Sequence, residues 1–276
     1  MRTETETPYG GFVQAMSRVK DIRVKVIPSK IGNSFIRRVH YSGKVTQNSQ
    51  LHFGAFLDGV LHGVMSFGPS LDKRKIIGLV NGTKFNGFLE LNRMAFDDKL
   101  PRNSESRCIS IALKMIKKKA PQIKWVISFA DGTQCGDGTI YRASGFILSG
   151  IKISKNLAQL SDGSVIHKMT LESNPNSKRP ELNGRSYYDI TGGKYDFNRY
   201  VNATEATLLQ GFQLRYIYFI DPAYRPKLTV PEIPFSEIEK AGARMYKGKR
   251  PDSVDGCTSS DQDESGGSKP TSGLKS

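Results

Sequence analysis

The chain predicts an α/β fold, a central mixed sheet of about six or seven strands with two helices against it. Three observations carry that reading. A strand (Phe88 to Phe96), an amphipathic helix (Ser104 to Lys119) and a second strand (Lys124 to Asp131) follow one another. Two hairpin patterns flank them, one over Leu51 to Phe67 about Asp58-Gly59, the other over Ile151 to Leu171 about Asp162-Gly163. The 276 residues are 37% hydrophobic with a mean hydropathy of -0.42, enough to build the core of a soluble protein.

In chain order, Val19 to Ile27 alternates apolar and charged residues in part, which suggests an early strand. Ser34 to His40 fits a helix or an extended segment. On the first hairpin, His52 and His62 fit exposed positions of the alternation. Pro69 to Asn86 is a basic, glycine-containing connection. The strand FLELNRMAF then carries Glu90, Asn92 and Arg93 where packing favours apolar residues. A buried charge costs several kcal/mol unless paired, so this is the expected working site. Strict alternation puts Glu90 and Arg93 on opposite faces, and only a β-bulge brings them together.

The helix presents Ile109, Ala112, Leu113 and Ile116 on one stripe, and Lys114, Lys117 and Lys118 elsewhere. Asn103 suits its N-cap, Glu105 and Lys117 to Lys119 suit its dipole, and Pro121 stops it. With Arg102 just ahead, its first amides can hold an anion. WVISFAD is apolar enough for a strand covered on both faces, and Asp131 closes it where open α/β sheets bind ligands. The loop GTQCGDG leads to a short helix, Thr139 to Ser144, bearing Tyr141. Gly145 takes the left-handed stop, and Phe146 starts the next strand with its ring in the core.

The second hairpin returns through VIHKMTL. Ser173 to Tyr200 mixes basic residues and tyrosines with little periodicity; it reads as a surface loop, or as a surface for phosphates and an extruded base. LRYIYFID is the last strand, Pro222 to Pro234 a strap, and Phe235 to Tyr246 a short helix. The organisation expected is a flexible N-terminus (1–18), a catalytic domain (19–228) with a polar insertion (173–206), the strap and helix (229–247), and a disordered tail (248–276).

Lys and Arg number 41 against 26 Asp and Glu, a net charge of +15, which favours a polyanionic partner, most simply nucleic acid. Eight basic residues against the single acid Asp21 lie between Arg18 and Lys44, so the charge belongs to the folded body. Cys108, Cys135 and Cys257 lack C-x-x-C spacing, and neither disulfides nor a zinc site is indicated. No apolar run approaches the ~18 residues of a membrane span, and no signal peptide opens the chain, so a cytoplasmic protein is expected. His40 and Tyr41 stand in a segment of small polar residues; a site-facing role or a structural one suits them. That pair alone supplies too few metal ligands, though a metal ion is not excluded.

A strand, an anion-binding helix, a strand and a short helix with Y-x-x-x-G-F together resemble the core of the GNAT acyltransferase superfamily. In many of its members that tyrosine is general acid toward the departing thiolate of acyl-CoA. More closely, ELNRMAF, PRNSES, SFAD and GTIYRAS resemble the Mom family of bacteriophage DNA-modification proteins, from about Val39 to about Leu228. The resemblance implies a GNAT-like fold and transfer of a methylcarbamoyl group to the exocyclic N6 amine of adenine in double-stranded DNA, which protects it from restriction nucleases. Extrusion of the base would be required. On this reading Asp131 is the base or orients it, and Tyr141 is the acid. Arg93 and Ser106 hold an anionic donor or a phosphate, with Arg102 and Asn103 beside them, and His40 and Tyr41 complete the site.

Two departures stand against that pattern. The glycines that cradle the pyrophosphate of coenzyme A in GNAT proteins are absent, so the donor is an unidentified acyl-type compound and acetyl-CoA is supported by analogy alone. Cys135-Gly136-Asp137 replaces the family's usual Gly-His. The alternatives are a GNAT enzyme acylating a protein or small amine, and a catalytically inactive DNA-binding protein.

Overall fold

The computed structural model describes residues 18–40, 42–131 and 136–243. The expected N-terminal and C-terminal flexibility, Tyr41 and Cys135 lie outside those residues. Eight strands form one sheet: β1 (Arg23–Ile27), β2 (Leu51–Leu57), β3 (Val60–Gly68), β4 (Phe88–Phe96), β5 (Trp125–Asp131), β6 (Ile147–Gln159), β7 (Val165–His167) and β8 (Thr207–Phe219). Their order is β1-β2-β3-β4-β5-β8-β6-β7. β4 and β5 run parallel and the other neighbours antiparallel, giving the mixed sheet that was expected. The count is eight where about six or seven were anticipated, and the short strands β1 and β7, both expected, stand at its two edges.

Two long helices cover opposite faces. The first, α1 (Ser29–Val39), settles the segment that sequence left open: Phe35 and Ile36 bury against Val64 and Ala95, so it is helical. A short α2 (Lys73–Ile77) lies in the connection before β4. The second long helix, α3 (Ser104–Lys119), seats Ile109, Ala112, Leu113 and Ile116 on Met65, Phe67 and Val126. Val64 and Met65 are sequence neighbours and so point to opposite faces, which places α1 and α3 on opposite sides. A parallel pair needs such a crossover helix, and α3 supplies it between β4 and β5. The strap from Pro222 runs over the α1 face, packing Tyr224, Leu228 and Val230 against Trp125 and Ile217.

Four local expectations need correction. His52 is buried, because α1 covers that face and Gly32 sits directly over the imidazole; its Nδ1 lies 2.7 Å from Ser66 Oγ. His62 is half-buried beside Asp97 rather than exposed. The return strand after Asp162-Gly163 is only β7, since α5 (Lys168–Ser173) begins immediately after it. Asn103 occupies the N-cap position of α3 in the left-handed conformation (φ 69°) and makes no capping bond with its side chain.

The largest correction concerns the polar insertion, which is not a loose loop. It folds around its own core, where Leu171, Leu182, Tyr187, Ile190, Phe197, Tyr200 and Val201 close on Ala158 of β6. Two helices, α6 (Tyr187–Thr191) and α7 (Phe197–Ala203), build it, and α6 starts with a reciprocal Ser186–Asp189 capping box. Tyr187 and Tyr200 are fully buried, so neither is available to a base. The remaining short helices are α4 (Thr139–Ala143), between β5 and β6, and α8 (Ser236–Lys240).

Candidate active site

The site begins at a defect in the sheet. On β3, Ser66 pairs with Arg93 and Phe67 with Leu91, so Asn92 is an extra residue in β4. This is a bulge at the position where Glu90 and Arg93 need one. Burial pushes the Glu90 carboxyl up, while hydrogen bonds from Ser70 and Asn92 and the charge of Arg93 pull the other way. The two side chains therefore share a field. Past the bulge the parallel partners separate: β4 and β5 pair only from Phe88–Trp125 to Glu90–Ile127. Ser128 Oγ donates to the Leu91 carbonyl across the opening at 3.1 Å. Beyond it, β4 stays with β3 and β5 with β8.

Arg93 and Asp131 stand on either side of this opening and line one cleft of about 1050 Å³. Ser42 and Lys44, which follow α1, form part of its wall; His167, Thr170, Arg179 and Glu181 close it from the insertion side. Lys44 Nζ reaches Thr170 Oγ1 at 3.4 Å and so joins the two walls. A smaller cavity of about 260 Å³ adjoins the cleft and shares Asp131, Leu157, His167 and Met169 with it.

His40 stands just behind this wall. Its Nδ1 accepts the Ser42 amide at 3.1 Å and lies 2.9 Å from Ser42 Oγ. Burial, then the charge of Arg93, lowers its pKa to about 4, so the ring is neutral near pH 7. The remaining predicted residues fall elsewhere. Tyr141 is buried, its ring 5.5 Å from Phe146 and 5.3 Å from Tyr216, and it is not among the described residues lining either cavity. Arg102 is exposed, and Ser106 Oγ donates to the Asn103 carbonyl at 3.2 Å, so this group gathers at the start of α3.

The departure at Asp137 has a local explanation. Asp137 is 2% exposed, accepts the Thr139 amide at 3.0 Å and pairs with Arg142 at 2.7 Å, while its carbonyl accepts the Tyr216 hydroxyl. It fastens the start of α4 and stands in place as structure. Among the described residues no cluster of three His, Cys, Asp or Glu side chains could hold a metal ion. None of their helices is long and apolar enough to cross a membrane.

The Mom protein family model matches residues 21–237. Methylcarbamoylase mom of Escherichia phage Mu is 35% identical over 217 residues, covering 76% of this chain and 80% of that protein. The chain belongs to the Mom protein family. Solved structures of similar path include the ribosomal-protein-S18-alanine N-acetyltransferase from Escherichia coli, at 9% identity and a TM-score of 0.39, covering 72% of this chain and 94% of that one. An N-acetyltransferase from Staphylococcus aureus Mu50 gives the same identity and TM-score over 72% and 99%.

The Mom match takes in both walls of the cleft and the whole insertion, so the insertion is part of what the family model describes. Several cleft residues escaped the sequence reading, His167 among them. His167 reads there as part of a hairpin strand, and no sequence signal marked it; its place at the junction of strand and helix belongs to the fold.

Proposed function

We propose that this Mom-family chain is a transferase that places a methylcarbamoyl group on the N6 amine of adenine in DNA. The observation that carries the reading is the 35% identity with Methylcarbamoylase mom over 217 residues, and the family model spans the sheet, the cleft and the insertion. The geometry supports it. Adenine's amine is a poor nucleophile, and its proton must leave as the new bond forms at nitrogen, so a carboxylate within reach helps. We assign that role to Asp131, which lines the cleft from the end of β5. Arg93 lines the same cleft from β4, where a positive charge would stabilise an anionic group on the donor or negative charge developing on it.

The cleft's volume of about 1050 Å³ lies at the upper end of ligand pockets, roughly 300–1,000 Å³, and so suits an extruded base beside a donor. The donor is an acyl-type compound. Against the pyrophosphate of coenzyme A at the start of α3 stand the Ser104 and Ser106 hydroxyls, which turn back onto the Pro101 and Asn103 carbonyls, and Glu105, which adds a carboxylate to the first turn. A cytoplasmic site of action follows from the substrate.

Nucleoside mass spectrometry on DNA from cells producing the protein tests the reading. A modified deoxyadenosine is expected with the natural chain and not with an empty vector. Unmodified DNA at full expression of folded protein sinks it.

A further inference from the structure

The acceptor in the cleft has a donor beside it. His167 ends β7 and caps α5, its Nδ1 accepting the Met169 amide at 3.0 Å. A ring nitrogen that accepts carries no proton, so in the neutral imidazole the hydrogen sits on Nε2. Nε2 makes no hydrogen bond among the described residues and is not among their buried unpartnered atoms. The ring lines both the large cleft and the smaller cavity, and so does Asp131. With Nδ1 committed to the helix, Nε2–H is the polar group His167 has left to offer these spaces. Burial holds the histidine below its ordinary pKa, outweighing the opposing pull of Asp131, which keeps the ring in this neutral form near pH 7.

We infer that Asp131 and His167 together read the amine edge of the target base, the carboxylate accepting an N6 hydrogen and Nε2–H donating to the adjacent ring nitrogen. The inference rests on the function proposed above and adds a specificity-determining residue to it. Adenine shows a donor beside an acceptor on both edges, N6–H with N1 and N6–H with N7. Guanine and thymine place a carbonyl oxygen where adenine has its amine, which would set two acceptors face to face at Asp131. Cytosine shares the amine-and-nitrogen pattern, so against cytosine the pair needs help from the shape of the cleft. The same contact that selects the base orients its amine toward Asp131, so selection and proton acceptance use one geometry.

The competing role for His167 is simply to cap α5. Two isosteres separate the roles, because asparagine reproduces the Nδ1 position and glutamine the Nε2 position. His167→Asn keeps the cap and removes the donor; His167→Gln loses the cap and keeps the donor. The yield of modified adenine in cells should fall about 10- to 100-fold in His167→Asn, the usual worth of a paired base contact, with the thermal midpoint unchanged. His167→Gln should keep most of the yield despite a lower midpoint. The reverse pattern overturns the inference.

A second measurement needs no donor. Purified protein is titrated with duplexes carrying one mismatched adenine, 1-deazaadenine or 7-deazaadenine. One deaza base should weaken binding to the natural chain by about 10- to 100-fold and leave His167→Asn unaffected, and which one identifies the edge that is read. Equal affinity for all three duplexes overturns the inference. Tight, deaza-sensitive binding without any modified adenine in cells would instead overturn the proposed reaction and leave the pairing standing.

Discussion

A carboxylate at the end of an apolar strand has no packing reason to be there, and the cost of burying it makes Asp131 legible from the amino-acid order alone. Arg93 is legible for the same reason. His167 is not, because a lone histidine in a hairpin strand carries no comparable cost; only the fold brings it to the wall opposite β4. Tyr141 shows the converse, a residue whose motif stands out in sequence and whose ring is packed against Phe146 and Tyr216. Replacing Asp131 by asparagine keeps the shape and removes the charge. The yield of modified adenine should drop about 10²-fold, the scale for losing a positioned base. The midpoint should move by only ~2–4 °C for each kcal/mol of destabilisation at this size, and the salt dependence of DNA binding should hold, because no positive charge is removed. Wild-type yields from folded Asp131→Asn protein would remove Asp131 from the chemistry.

Among the elements, α3 was readable because sixteen residues of amphipathic pattern end at a proline, whereas α1 is shorter and shows fewer apolar residues. The insertion misled because tyrosine suits a surface as well as a core, and Tyr187 and Tyr200 are buried in its core. The bulge at Asn92 could be demanded from the Glu90–Arg93 spacing but located only by register. At the join of β5 and α4, Gly138 has a φ of 71°, and an added Cβ would fall within the van der Waals shell of the Tyr216 ring. Gly138→Ala therefore combines left-handed strain of ~1–2 kcal/mol with overpacking of ~1–3 kcal/mol. A fall in midpoint on the order of 5–15 °C is expected by calorimetry. An unchanged midpoint would mean that this loop relaxes freely and that Asp137 does not fasten it.

Charge acts on the whole molecule in two ways. His40, His52 and His167 all have pKa values lowered chiefly by burial, His40 to about 4. The unfolded chain thus binds more protons than the folded one between about pH 6.5 and 4, so stability is full above that window and declines as pH falls through it. Glu90, raised by burial, acts in the opposite sense at the acidic end. Thermal melts at pH 7 and pH 5 should show the lower midpoint at pH 5, with a smaller difference in His40→Gln; equal midpoints would contradict the burial of these rings. The second effect is directional. Arg37, Arg38 and Lys44 are exposed where α1 runs into the cleft wall, whereas Lys73, Arg74 and Lys75 lie in the β3–β4 connection at the other end of these strands. If the cleft takes a base extruded from a duplex, the first group meets its phosphates and the second does not. Each phosphate left without its cation should lower the slope of log affinity against log salt by about 0.9. Replacing Arg37, Arg38 and Lys44 by glutamine should therefore cut the slope by about two to three and weaken binding alike across DNA sequences. The same change at Lys73, Arg74 and Lys75 removes as much charge and should leave the slope nearly intact. Equal reductions from both triplets would show that the charge acts only as a diffuse field and that the cleft end is not the DNA face.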